Sequence, residues 1–246
     1  MDPATVAALA ILFAVGAALY SSVGHGGASA YIAAMALFSI APETMKPTAL
    51  ALNLLVAGFG AWRYWRRGLT NWKLVAAFAL TATPAAFLGG GMHLPAIYYK
   101  PLVGILLWTA AARLLWQPKR LAEREIHAPS YWLTLPAGAV LGLLAGLTGT
   151  GGGIFLSPLV ILNAWEEPRH TSGVVAAFIL LNSVAGLAGN FASVGRLPPE
   201  LPIFLGSVFA GALLGTWLGV ERLPRPWLLR TLGLVLVVAG AKLLFT

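Results

Sequence analysis

The stretch Thr148-Gly149-Thr150-Gly151-Gly152-Gly153 decides how this chain is read. It lies inside residues 126–165, forty residues without a single Asp, Glu, Lys or Arg. That length is too great for one membrane span of about 20 residues and about right for a hairpin of two. Successive glycines break a helix and let the backbone come close to whatever lies beside it. The helix that restarts after the break presents unpaired N–H groups, which carry partial positive charge and attract anions.

The pattern occurs twice. Ser21-Ser22-Val23-Gly24-His25-Gly26-Gly27 interrupts residues 3–42, a second charge-free run of the same length. Residues 17–40 and 142–165 match in register, placing Gly24, Gly26 and Gly27 on Gly149, Gly151 and Gly152. Further on, with small insertions, Thr48 falls near Thr171, Asn53 near Asn182, and Gly68-Leu69 near Gly195-Arg196-Leu197. Two halves follow, 1–118 and 128–246. They are joined by a polar linker, 119–127, that carries Lys119, Arg120, Glu123, Arg124 and Glu125.

Each half divides into five apolar segments: about 4–23, 27–40, 46–64, 73–91 and 96–116, then 131–148, 152–163, 170–190, 200–220 and 227–246. The expected fold is an all-α integral membrane protein of two inverted-topology repeats, about five helical segments each. A Gly-rich broken or re-entrant hairpin, at 4–40 and 131–163, opens each repeat. Pro84, Pro136 and Pro158 lie within or near the ends of segments, which membrane helices tolerate when neighbours satisfy the freed carbonyls.

Composition agrees. Of 246 residues, 59% are hydrophobic and 10% charged, against about 25% charged in soluble domains. The mean hydropathy is +0.81. With no cysteine, a disulfide framework, thiolate catalysis and Cys-based metal sites are excluded, and no cofactor or metal is expected. The net charge of +8 comes without a basic stripe or docking motif, so nucleic acid is not an expected partner. The first segment lacks the basic n-region of a signal peptide and reads as a retained helix.

Orientation follows from the cations. If the loop holding Arg63, Arg66, Arg67 and Lys73 is cytoplasmic, alternation also puts Arg113, Lys119, Arg120, Arg124, Arg169, Arg222, Arg225 and Arg230 inside. Only Lys46, Lys100, Arg196 and Lys242 remain outside. Lys and Arg favour the cytoplasmic side. Both termini then lie outside, the first repeat starts outside and the second inside, a plan typical of secondary transporters. The expected location is a bacterial-type plasma (inner) membrane, with multiple passes. Most tryptophans fall near segment ends, as an interfacial belt should; only Trp108 sits well inside one.

The candidate substrate-binding residues are those of the two breaks and their polar neighbours. They are Gly24, His25, Gly26 and Gly27; Thr148, Gly149, Thr150, Gly151, Gly152 and Gly153; and Asn53, Asn182 and Ser183. Small-residue packing between helices explains isolated glycines without any ligand. Two matching clusters, each flanked by hydroxyls, favour a site. His25 is the only ionisable residue in its forty-residue stretch and a candidate proton relay; a histidine at a hairpin tip reaching interfacial water is the plainer reading. The asparagines serve helix–helix hydrogen bonding as well as ligand contact. Ser29 and Ser157, a turn past the breaks, rank lower. All eight acidic residues lie in loops or at span ends, which suits an anion path. An inside-negative potential favours anion exit by about 2.3 kcal/mol per charge per 100 mV, so export needs no coupling ion.

At these residues the chain resembles the sulfite exporter TauE/SafE family of membrane permeases. The resemblance runs over nearly the whole sequence. It is carried by Gly146-Leu147-Thr148-Gly149-Thr150-Gly151-Gly152-Gly153 with Ser157-Pro158, by Ala49-Leu50-Ala51-Leu52-Asn53, and by Thr171-Ser172 with Leu181-Asn182-Ser183. The first copy departs from the family pattern, with His25 among its glycines and no proline matching Pro158. The resemblance implies transport of a small sulfur-containing anion: sulfite, sulfoacetate or a similar organosulfonate.

The function expected is therefore alternating-access transport of such an anion around a midplane site, with export favoured and no enzymatic activity. The partners are the small anion and the lipid bilayer; a homo-oligomer is compatible with the residues and not required by them. An anion-selective channel or a broad organic-anion carrier is the alternative. An intramembrane hydrolase pairing Ser29 with His25 or His170 lacks any spacing that would fix the pair.

Overall fold

A computed structural model describes residues 1–22, 24–115, 125–191, 195, 197–221, 236–238 and 240–245, with backbone only at 113–115, 168 and 217–221. The described residues form nine named helices: α1 (Pro3–Ser21), α2 (Ala28–Leu37), α3 (Pro42–Arg66), α4 (Trp72–Gly91), α5 (Ala96–Leu115), α6 (Tyr131–Thr148), α7 (Gly153–Leu162), α8 (Pro168–Gly189) and α9 (Leu201–Glu221). Residues 236–238 and 240–245 are also helical. Linker residues 119–124, together with the cations Arg196, Arg222, Arg225 and Arg230, lie outside the described residues.

Local chemistry explains most helix starts. Asp2 caps α1 by accepting from the Thr5 N–H at 3.0 Å, Asn71 caps α4 through the Leu74 N–H at 3.1 Å, and Ser130 caps α6. Proline stands at the start of α1, α3 and α8, where its missing N–H has no intrahelical partner to lose.

Helices α1, α4 and α6, and residues Arg169–Gly189 of α8, are long and apolar enough to cross a membrane, with mean hydropathies of 1.4 to 2.0. Helices α2 and α7 have ten residues each. At 1.5 Å per residue they reach about 15 Å, half of the roughly 30 Å hydrocarbon core. The outer surface is apolar: Ile11, Leu80, Leu88, Ile105, Trp132, Val140 and Ile203 are all more than half exposed. In water such a surface would aggregate.

Two packed clusters organise the interior. One joins Leu9, Phe13, Tyr31, Leu52, Val103, Phe204 and Val208, from α1, α2, α3, α5 and α9. The other joins Ala57, Phe78, Val160, Trp165, Val174 and Phe178, from α3, α4, α7 and α8. Helix α3 contributes buried residues to both, and neither cluster coincides with a half of the sequence.

The closest packing is between the halves. On α6, a Cβ at Gly138, Gly142 or Gly146 would overlap the carbonyl oxygens of Phe78, Ala82 and Ala86 on α4. On α9, a Cβ at Gly211 or Gly215 would overlap those of Ala14 and Ala18 on α1. Glycines four residues apart lay one face of each helix directly against its partner's backbone, the small-residue packing of membrane helices.

The connections gather at two ends. At one, Asn71 Nδ2 donates to Glu166 at 2.5 Å, and the His127 N–H to the Ala164 carbonyl at 3.1 Å. At the other, Lys46 Nζ donates to the carbonyls of Gly89, Gly90 and Met92 at 3.1, 2.7 and 3.1 Å. There too Lys242 Nζ donates to the Leu37 carbonyl at 2.7 Å. Lys46, counted from the sequence among the outer-face cations, is thus folded into the protein, 8% exposed. It satisfies the carbonyl end of α4, where helix orientation favours a cation.

Candidate functional site

Both Gly-rich stretches are helix interruptions. α1 ends at Ser21 and α2 begins at Ala28; α6 ends at Thr148 and α7 begins at Gly153. Gly27 and Gly152 are the N-caps of α2 and α7, with φ of +98° and +76° and no side-chain cap. A side chain is disfavoured at such φ, and the first N–H groups of both helices are left for other partners. Gly24, Gly26, Gly27 and every residue from Thr148 to Gly153 are buried; His25 is half-buried.

The two interruptions converge on one side chain. A Cβ built on Gly26 would stand 2.6 Å from Asn53 Oδ1, and one on Gly151 would stand 2.7 Å from Asn53 Nδ2. Both would also approach Ile179 Cγ2, at 3.1 and 2.9 Å, and the Gly151 position lies 3.3 Å from Ser183 Oγ. The Asn53 carboxamide is therefore wedged between the breaks, oxygen toward the first and nitrogen toward the second. Two donors, Asn53 Nδ2 and Ser183 Oγ, meet at Gly151. Gly153 packs on Ile179 and Val175 of α8.

The first glycine of each break abuts the opposite half. Gly24 lies against Ser172 of α8, and Gly149 against the Lys46 backbone of α3. Lys46 and Ser172 are each the fifth residue of their helix. α3 and α8 thus play corresponding parts around the two breaks.

Asn53, Asn182 and Ser183 are 0% exposed. Among the described residues neither amide, nor the Ser183 hydroxyl, has a hydrogen-bond partner; nor does the hydroxyl of fully buried Thr48. An unsatisfied buried polar group costs about 1–3 kcal/mol. Two of them, Asn53 and Ser183, meet at Gly151, where waters or ligand atoms can supply their partners.

Two tyrosines hold the breaks in shape. Tyr31 Oη donates to the Gly26 carbonyl at 2.9 Å, and Tyr99 Oη to the Thr148 carbonyl at 3.0 Å, both buried. Thr148 Oγ1 bonds back to Leu144 O at 2.6 Å and lies 3.0 Å from Thr150 Oγ1. The His25 N–H donates to Tyr20 O at 2.9 Å, and the two rings stand 6.4 Å apart.

Sequence reasoning missed Tyr31, Tyr99 and Ile179. Tyr31 carried a weak signal, as one of two hydroxyl side chains in the alanine-rich α2. Tyr99 on α5 and the apolar Ile179 on α8 carried none. Of the proposed hydrolase residues, His170 sits 3.6 Å from Glu167 at the start of its own helix. Among the described residues, no group of three His, Asp or Glu side chains gathers to hold a metal ion.

Known proteins show similarity over nearly the whole chain. The family profile described as "Sulfite exporter TauE/SafE" matches residues 8–243. A "Probable membrane transporter protein y4hK" from Sinorhizobium fredii is 40% identical over 96% of this chain and 97% of its own. A "Probable membrane transporter protein YjnA" from Bacillus subtilis is 28% identical over 92% of this chain and 95% of its own. These names describe transporters rather than enzymes. No solved structure matches the chain.

Proposed function

The chain belongs to the sulfite exporter TauE/SafE family of membrane transporters, and on that footing we propose that it exports a small sulfur-containing anion such as sulfite or sulfoacetate. The anion is held between the two helix breaks. The observation that carries this reading is the Asn53 carboxamide, buried without a hydrogen-bond partner among the described residues and flanked by Gly26 and Gly151. Its donor end, the Ser183 hydroxyl and the uncapped N-terminus of α7 all offer N–H or O–H groups near Gly151. Convergent donors suit an oxyanion. Asn182, the remaining break residues Gly24, Gly27 and Gly149 to Gly153, and the threonine hydroxyls assist. His25 carries the proton if transport is pH-coupled.

In this reading the chain is an inverted repeat working by alternating access. The buried breaks correspond to a site closed to both sides. The end carrying Arg63, Arg66 and Arg67 faces the cytoplasm, by the preference of cations for that side. Both termini lie outside, in a plasma membrane.

Counterflow in proteoliposomes tests the proposal, with sulfite, sulfoacetate, sulfate and acetate competing across a pH range. Saturable selection for a sulfur anion, lost in Gly151→Leu while membrane insertion is retained, is the expected result. Uniform uptake of all four anions would replace the sulfur substrate with a broad organic-anion carrier, and unsaturable flux would indicate a channel. A pH dependence abolished by His25→Ala would assign that residue to coupling.

A further inference from the structure

We propose that a recess at the ends of α1, α3 and α9 is a second anion-binding site, taking the oxyanion group of a small sulfonate or sulfite ahead of the helix breaks. The recess is open on one side and lined by Ser21, Ser22, Arg63, Tyr64, Arg67 and Thr216 around Gly60. None of these is acidic. Ser21 and Ser22 precede Gly24 by only two or three residues, so the recess adjoins the first break.

Two observations point to a ligand. The first is charge. Arg63 in the last turn of α3 and Arg67, the residue that caps its end, both line the recess. Among the described residues neither forms an ion pair with a carboxylate. Arg63 lies 5.6 Å from the centroid of the Phe59 ring. That contact orients the guanidinium plane and leaves its N–H edge for hydrogen bonds. Helices α1 and α3 both present carbonyl ends here, which by themselves repel an anion. The two guanidiniums therefore set the sign of the recess.

The second observation is Ser21. It is 7% exposed, lines the recess, and its Oγ has no hydrogen-bond partner among the described residues. Its neighbours are otherwise engaged: Ser22 Oγ donates to Leu19 O at 2.7 Å, and Thr216 Oγ1 to Ala212 O at 2.7 Å. Guanidinium forks with an adjacent hydroxyl match the oxygens of a sulfonate or sulfite. A lipid phosphate presents the same oxygens, and the test separates the two.

The docking role ahead of the breaks rests on the transport reading above; the anion site itself does not. The probe is sulfoacetate, titrated calorimetrically into purified full-length protein in phosphatidylcholine nanodiscs, with Gly151→Leu (or Asn53→Leu) disabling the midplane site. Binding should persist in that background and weaken about tenfold or more in the Arg63→Gln/Arg67→Gln double variant, the loss expected for charge-assisted hydrogen bonds. Ser21→Ala should weaken it several-fold with an unchanged or higher Tm, since it removes a group unpaired in the unliganded fold; a structural serine would lower Tm instead.

Loss of all binding in the Gly151→Leu background, or residual binding indifferent to Arg63, Arg67 and Ser21, overturns the proposal. If sulfoacetate does not bind and phosphatidylglycerol is retained in an arginine-dependent way, the occupant is a lipid headgroup and the proposal fails. A wild-type protein that binds at the recess but carries no sulfur anion across the membrane would overturn the transport reading and leave the recess standing.

Discussion

Lys46 Nζ lies 2.7 Å from the carbonyl oxygen of Gly90, at the end of a helix that starts at Trp72. The same ammonium also serves Gly89 and Met92, while the Lys46 backbone forms the wall against which Gly149 packs. One residue thus ties the end of α4 to the second helix break. Replacing it by Met keeps the alkyl stem and strands three carbonyls. The expected cost is about 3 kcal/mol, from lost bonds to a charged donor. It is read as a lowered Tm in detergent, with Lys46→Arg recovering much of it.

Asn53 should behave unlike an ordinary buried asparagine. Both ends of its carboxamide lack partners among the described residues, so Asn53→Leu should hold or raise thermal stability while eliminating substrate protection against unfolding. If Asn53→Leu unfolds as a broken hydrogen-bond network would, the residue is structural. Asn53→Asp should be worse for transport than Asn53→Leu, because a carboxylate between the breaks repels an anion.

Gly142 on α6 faces the Ala82 carbonyl with no room for a methyl group. Gly142→Ala should force α4 and α6 apart and cost about 1–3 kcal/mol, the usual range for overpacking. Gly206→Ala, inside α9 where a Cβ meets nothing within 4 Å, should hold or slightly raise stability, by up to about 1 kcal/mol. Thermal melts of the two variants side by side check the pair.

Tyr99 donates its phenol to Thr148 and packs in the first core cluster. Tyr99→Phe removes that one bond and should cost about 1 kcal/mol. Because the freed carbonyl sits at the second break, the turnover rate should move more than the Tm. Equal loss of both would make Tyr99 a plain core residue.

The helical segments were legible in the sequence because a forty-residue run without charge, cut by glycines, admits few readings. Predicted segments at 73–91 and 131–148 differ from α4 and α6 by no more than one residue at either end. Asn53 stood out as a polar residue in an apolar span. What one sequence does not display is a meeting in space. Gly26 and Gly151 belong to different halves, and nothing local says that both reach the same carboxamide. Tyr99 is invisible for the same reason, being an ordinary aromatic on a helix far from the break it holds. The burial of Lys46 was not legible either, because the carbonyls that receive its ammonium belong to Gly89, Gly90 and Met92, far from it in sequence. Arg63 and Arg67 looked like topology signals alone, since the serine and threonine that complete the recess come from α1 and α9.

The glycine-lined contacts of α1 with α9 and of α4 with α6 bear on how the protein is made. Each joins the first half of the sequence to the second. α1 therefore enters the bilayer nearly a full chain length of synthesis before the partner whose glycines fit its backbone. Until α9 emerges, Ala14 and Ala18 face lipid or a chaperone. A first half released alone would carry a helix face shaped for a neighbour it does not encode, so the ribosome must reach α9 before the first helix is finally seated.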